Sequence, residues 1–226
     1  MAIRRTEPKA MPGKRSFKQK RSAETHESLL DAAERVFARR GFDAAQTPEI
    51  AAEAGVSTGA FYRYFVDKRA CFVEMIARSL QRAHDDVVAR LDPVWFAGAE
   101  ARDAIDRAVE VLFTHVRRDA ELERVYLAMS LRDPEVEQLR ADFESKGLDA
   151  LEALIASIVP REVVAHPRAA AHVIMVASIE IAIERAGMRP RSGPPLPDEQ
   201  VRSALAEMIH RYLQLGTKRA TKPKRR

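Results

Sequence analysis

The chain has 226 residues, is 46% hydrophobic and carries a formal net charge of +5, which is enough apolar material for one larger core or two small ones. Its one cysteine, Cys71, excludes an internal disulfide, and no apolar run approaches the roughly 18 residues that suggest a membrane span. The basic N-terminus leads into no apolar stretch and so is no secretory signal, and the expectation is a cytoplasmic chain with no membrane partner.

Charge is unevenly spread. Residues 1–21 hold eight bases and one acid, residues 218–226 hold six bases and no acid, and the body between them holds 24 bases against 32 acids. Two basic disordered tails flanking an acidic body suit an anionic partner such as nucleic acid, or serve only as solubilising ends.

Between the tails the apolar spacing is helical throughout, with Gly and Pro at the ends of periodic segments. A first helix is expected over about 22–40, with Leu29, Ala33, Val36 and Phe37 as its buried stripe and Gly41 just past its end. Thr47-Pro48-Glu49 starts a short second helix, with Thr47 as its cap, and Gly55 ends it. Ser57 caps a third helix over 58–65, and Asp67 opens a fourth carried by Phe72, Ile76, Leu80, Val87 and Leu91. Ile105, Val109, Leu112 and Val116 form a fifth, and Leu122, Val125, Tyr126 and Met129 a sixth. Asp133-Pro134-Glu135 starts a seventh, in which Gly147 leaves open whether the run is one straight helix. The eighth spans 167–186 and is followed by Gly187. A Pro-rich loop, 188–197, precedes a ninth over 198–215.

The eighth helix, Ala169 to Ile183, is apolar nearly all round, so it is buried on more than one side, by its own core or by a second subunit. Ile174, Ile179 and Ile183 on it, with Leu205, Met208 and Tyr212 on the ninth, are the candidates for a homodimer interface.

The stretch GVSTGAFYRYF, Gly55 to Phe65, crowds aromatics into a chain that is 6% aromatic. At 100° per residue Phe61 and Phe65 point one way, Gly59, Ala60 and Arg63 the other, and Tyr62 and Tyr64 flank the two faces. Small residues permit close approach to a groove, Arg63 suits bidentate bonding to guanine, and tyrosine hydroxyls suit phosphate oxygens. The first turn from Thr58 to Ala60 carries no carboxylate, so it attracts phosphate. With the helix before Gly55-Val56-Ser57, this is a helix-turn-helix pattern.

The segment from about Ser22 to Leu80, including LLDAAERVFARRGFDAAQTPEIAAEAGVSTGAFYRYFVDKRACF, resembles the DNA-binding domain of the TetR (tetracycline-repressor) family of bacterial regulators. Gly59, Tyr62, Tyr64, Phe65 and Lys68 match the family's order, while Cys71 stands where leucine is usual. The resemblance implies an all-α fold of about nine helices: a three-helix DNA-binding domain, 22–68, and a ligand-binding and dimerisation domain, 69–217. It implies phosphate contacts from Thr47, Tyr64 and Lys68, and base-facing or bordering positions for Thr58, Gly59, Ala60, Tyr62 and Arg63. It further implies a homodimer on a palindromic duplex DNA operator and a small-molecule effector.

Candidate cavity residues are His84, Trp95, Phe96, Phe113, Tyr126, Met129, Phe143, His172 and Met175, each of which also reads as ordinary core. Their apolar character suits a mostly apolar ligand, and His84 sits where it could couple a ligand or pH to the fourth helix. The expectation is of no G-x-S-x-G, P-loop, HExxH or CxxC motif, and the six histidines show no metal-ligand spacing, so no enzyme, metal or cofactor is expected. The function expected is a DNA-binding repressor released by a ligand. A same-fold regulator without an inducer, and more remotely a helical enzyme or lipid-binding protein, remain alternatives.

Overall fold

The structure is a computed structural model that describes residues 14–88, 91, 93–96, 101–188 and 196–215, with the side chains of 14–18 and of Trp95 outside the description. The far tail 218–226, residues 1–13 and most of the Pro-rich loop therefore lie outside the described residues. All regular structure in the described residues is helical. The chain divides into two compact units, Met1–Met75 and Ile76–Arg226, where a boundary at 68/69 was expected.

The first unit contains α1 (Lys14–Ala44), α2 (Thr47–Glu53), α3 (Thr58–Phe61) and the start of α4 (Lys68–Asp86). The expected stripe of α1 is buried: Leu29, Ala33, Val36 and Phe37 are fully enclosed, with Ile50 and Ala51 of α2, Phe61 of α3, and Cys71 and Phe72 of α4. Phe37 and Phe42 stack at 5.8 Å, and both meet Phe72 edge-on at 5.1 and 5.2 Å. Gly41 breaks the end of α1 with φ 71, and Gly55 takes the same φ after α2, a backbone that glycine alone adopts without strain.

Three local expectations are corrected here. Helix α1 begins at Lys14, so eight residues assigned to a disordered arm are helical. Thr47 does not cap α2: the cap is Gln46, extended at φ −127 and ψ 146 and making no side-chain bond. The third helix is one turn rather than two, because the bonds Arg63 N–H to Ala60 C=O and Tyr64 N–H to Phe61 C=O, 3.2 and 2.9 Å, tighten its end. Asp67 opens α4 as expected, its Oδ1 accepting from the Ala70 N–H at 2.7 Å. Arg35 and Arg39 clamp α1 to α2, each donating to Glu53 at 2.8 Å, and these two bonds hold the Glu53 carboxyl below its ordinary range.

The second unit holds the rest of α4, then α5 (Pro93–Phe96), α6 (Ala101–Arg118), α7 (Ala120–Ser130), α8 (Pro134–Ile158), α9 (Pro167–Arg185) and α10 (Asp198–Leu213). Asp133 caps α8 by accepting from Glu135 N–H and Val136 N–H at 3.0 and 3.4 Å, and Pro134 takes the first turn, where its missing N–H costs nothing. Helix α8 runs unbroken through Gly147, which faces Met175 of α9. Ile105, Val109 and Phe113 of α6, Leu154 and Ile155 of α8, Ala171 and Ile174 of α9, and Leu205 and Ile209 of α10 share one core. Arg185, buried near the end of α9, donates through Nε to Asp198 at 2.7 Å and through Nη2 to the Leu196 carbonyl at 2.6 Å, which ties α9 to the start of α10.

Candidate nucleic-acid interface and effector cavity

The segment of α3 and the turn after it, residues 58–65, divides as its sequence predicts. Phe61 and Phe65 are buried, Gly59 and Arg63 are exposed, and Tyr62 is 54% exposed at the border. Two hydroxyl pairs fix the borders. Tyr62 Oη lies 3.1 Å from Thr47 Oγ1, and Tyr64 Oη lies 3.2 Å from Ser22 Oγ. Each hydroxyl keeps unused donor or acceptor capacity for a further partner. Sequence reasoning passed over Ser22 and also His26, whose ring stacks on Phe65 at 5.3 Å and whose Nε2 lies 2.8 Å from Glu74. Such a brace joins residues 39 positions apart, and no local pattern carries it.

Arg63 has no carboxylate partner among the described residues, and its guanidinium sits 6.0 Å from the Tyr64 ring centre. Gly59 is unusual in a different way. A methyl group added there would meet only Ser57 Oγ, at 4.0 Å, and its backbone is not left-handed. Glycine weakens a helix by about 0.5–1 kcal/mol relative to alanine, and nothing among the described residues requires that loss. Ser57 caps α3 by accepting from the Ala60 N–H at 3.2 Å.

Lys68 behaves differently from its expected role as a phosphate contact. Its Nζ donates to the carbonyls of Phe42, Asp43 and Ala45 at 2.9, 3.0 and 3.0 Å and lies 4.9 Å from the Phe42 ring centre. All three ammonium protons are thus engaged at the end of α1, where exposed carbonyls favour a cation.

Residues Gly55 to Gly59 also spell G-x-S-x-G, which the expectation of no enzyme motif overlooked. The nucleophile elbow that this pattern marks needs a strand before the serine and a strained turn at it. Here Ser57 follows a helix with ordinary φ −76 and ψ 154, and its side chain serves as a helix cap. Ser57 is thus a helix cap and not the serine of such an elbow.

The second unit contains a partly open cavity of about 240 Å³. Of the expected wall residues, Phe96, Tyr126, Phe143 and Met175 line it. His84, Phe113, Met129 and His172 do not: Phe113 and Met129 are packed in the core, His172 is exposed, and His84 turns aside with Nδ1 buried and unbonded. Trp95 lies outside the described side chains. Ile174, Ile179 and Ile183, expected at a dimer interface, line the cavity instead, and Leu205 is buried in the same core. The outward apolar residues of α9 and α10 are Val173, Val176, Met208 and Tyr212, exposed by 62, 42, 49 and 52%.

The wall also carries His115, Glu123, Arg140 and Glu144, none of which was expected there. Burial pushes the Glu123 carboxyl up to about 7, with Arg140 opposing and Asp119 reinforcing the shift. Burial likewise raises the Tyr126 phenol and, with Arg118 beside it, lowers the His115 imidazole. Among the described residues no three or more His, Cys, Asp or Glu are grouped to hold a metal, and no helix is long and apolar enough to cross a membrane.

Residues 29–75 match the family described as bacterial regulatory proteins, tetR family. Over 58 residues the chain is 47% identical to the HTH-type transcriptional repressor BepR of Brucella suis, which covers 26% of this chain and 28% of that one. Over 120 residues it is 32% identical to the HTH-type transcriptional activator FasR of Mycolicibacterium smegmatis, covering 53% of each. The chain thus spans about a quarter and about half the length of these two curated relatives. A crystal structure described as a TetR-family transcriptional regulator, from Mesorhizobium loti, superposes with a TM-score of 0.71 at 18% identity, covering 86% of this chain and 97% of that one.

Proposed function

We propose that the chain is a regulator of the TetR family, whose model residues 29–75 match, and that it is a homodimeric repressor that leaves a palindromic operator when a small molecule fills its cavity. The observation that carries the DNA-binding part is the outward face of α3 and the turn that follows it. Gly59 serves no packing need in the protein, Arg63 has no carboxylate partner among the described residues, and both are exposed. A glycine on a reading face lets a helix approach base edges, and a free guanidinium there suits guanine. Tyr62, Tyr64, Thr47 and Thr58 border that face, with Ala60 between them, and supply hydroxyls for phosphates.

The dimer would form through Val173, Val176, Met208 and Tyr212 of α9 and α10, the large apolar residues these helices leave exposed. A twofold dimer presents two copies of α3, which is what a palindromic site requires. Helix α4 is continuous from Lys68, which holds the end of α1, to Leu80 and Ala83 on the cavity wall. A ligand that prefers one position of α4 would shift the population of DNA-competent dimers. Coupling of about 1–3 kcal/mol changes operator affinity some 5- to 150-fold.

Repression accords with the likeness to BepR, and the likeness to FasR motivates activation as a second reading. Selection of duplexes from a random pool by the full chain tests the first claim: enrichment of an inverted repeat is expected, and enrichment of no sequence defeats it. A reporter driven from the selected repeat then separates the two readings, since added protein lowers transcription in one and raises it in the other.

A further inference from the structure

One end of the cavity is polar. His115 comes from α6, Glu123 and Tyr126 from α7, and Arg140 and Glu144 from α8. Arg140 donates through Nε to Glu144 Oε1 at 2.7 Å and through Nη1 to Ser130 Oγ at 3.5 Å. The other three are unpartnered. Nδ1 of His115 and the Tyr126 hydroxyl are buried without a hydrogen bond, and Tyr126 is only 5% exposed. The half-buried Glu123 carboxylate makes no hydrogen bond or close ion pair among the described residues. The same three side chains also border a small adjoining pocket of about 20 Å³.

Unpartnered polar groups beside an apolar space are costly unless whatever fills the space pairs with them. Each of these three offers an acceptor: a carboxylate oxygen, a phenol oxygen and, with the ring proton on Nε2, the imidazole Nδ1. A primary ammonium carries three N–H donors and no acceptor. We propose that the cavity binds a primary aliphatic amine, its ammonium donating to Glu123, Tyr126 and His115 and its chain lying among the Leu, Ile and Val side chains. The inference rests on the reading of this cavity as the effector site.

The surrounding charges agree with this choice. The Arg140 charge is offset by Glu144, so an anionic head would be repelled by Glu123 and would have to compete with Glu144 for Arg140. His115 is held neutral by burial and by Arg118, with Arg82 acting the same way and Asp86 and Asp119 opposing. A cationic head would in turn favour the ionised form of Glu123 against its burial. At about 30 Å³ per water-sized group, the space takes roughly eight such groups, which sets the length of the probes.

Calorimetric titration of the full chain with octylamine, octan-1-ol, octanoate and octyltrimethylammonium, above the Glu123 titration, tests the proposal. Octylamine should bind at least about tenfold tighter than the other three. Glu123→Gln should bring octylamine down to the level of octan-1-ol, and octan-1-ol binding that persists in the variant shows that its cavity is kept. Tyr126→Phe should weaken octylamine more than octan-1-ol. Tightest binding of octanoate, or an amine preference that survives Glu123→Gln, overturns the inference and leaves the effector site standing. If none of the four binds, the effector site falls and the inference with it.

Discussion

The hydroxyls of Thr47 and Tyr62 lie 3.1 Å apart, joining the first residue of α2 to the residue that ends α3. The pair fixes the angle between the two helices of the helix-turn-helix at its exposed edge. Tyr62→Phe removes the bond and a phosphate partner together, while leaving the ring on Phe61. Loss of one such bond costs about 0.5–1.5 kcal/mol of stability. Denaturant unfolding should register that amount, and operator affinity should fall for all sequences alike. A change in base preference would instead make Tyr62 a reading residue.

Gly59 yields a sharper separation of folding from function. Gly59→Leu adds a side chain where only Ser57 Oγ lies within 4 Å and replaces a poor helix former by a good one. The variant should be at least as stable as the parent and should lose specific DNA binding by tenfold or more, read by fluorescence anisotropy on the selected repeat. Retained affinity would remove α3 from the groove.

Lys68 is expected to matter for the fold before it matters for DNA. Lys68→Met keeps much of the stem and deletes three charge-assisted bonds to the end of α1. Destabilisation of about 1.5–3 kcal/mol should follow. A loss of operator affinity with unchanged unfolding would restore the phosphate role.

The division of α3 into anchors and reading face was legible because Phe61 and Phe65 repeat at helical spacing, and burial separates such residues from Gly59 and Arg63. Helix ends were legible wherever chemistry forces them: Gly41, Gly55 and Gly187 all take positive φ, and Asp67 and Asp133 cap as expected. The Thr47 cap was not, because Gln46 supplies the extended backbone one residue earlier. On α9 the apolar pattern runs nearly all round, so spacing could not tell Ile174 and Ile183, which face the protein's own cavity, from Val173 and Val176, which face out. Glu123 lies among Glu121 and Arg124, two exposed charged neighbours, and nothing local marks it as a wall residue. The cavity is a property of seven helices together, and periodicity along one of them does not reveal it.

The outward residues of α9 and α10 give a test of assembly. Val176→Glu and Met208→Glu place charges where 42% and 49% of each residue is exposed in the single chain, so each variant should fold with parental helix content. Each should also be monomeric by sedimentation and bind the inverted repeat weakly, since burying an unpaired carboxylate in an interface is costly. Stable dimers in both variants would move the interface off these helices.

Glu123 makes the stability of the second unit depend on pH in a defined direction. Its carboxyl titrates at about 7 in the folded chain against 4.5 ordinarily, so the folded state holds that proton more tightly than the unfolded state. The group therefore favours folding fully only below the ordinary value. Stability falls as pH rises from about 4.5 to about 7 and is level above. The loss is bounded by roughly 3 kcal/mol, less for the surface that Glu123 keeps accessible. Glu123→Gln abolishes this dependence, so its thermal midpoint should exceed the parent's in mildly alkaline buffer and approach it in acid. Parallel profiles for the two chains would mean that Glu123 is solvated after all, and the polar end of the cavity would lose its central acceptor.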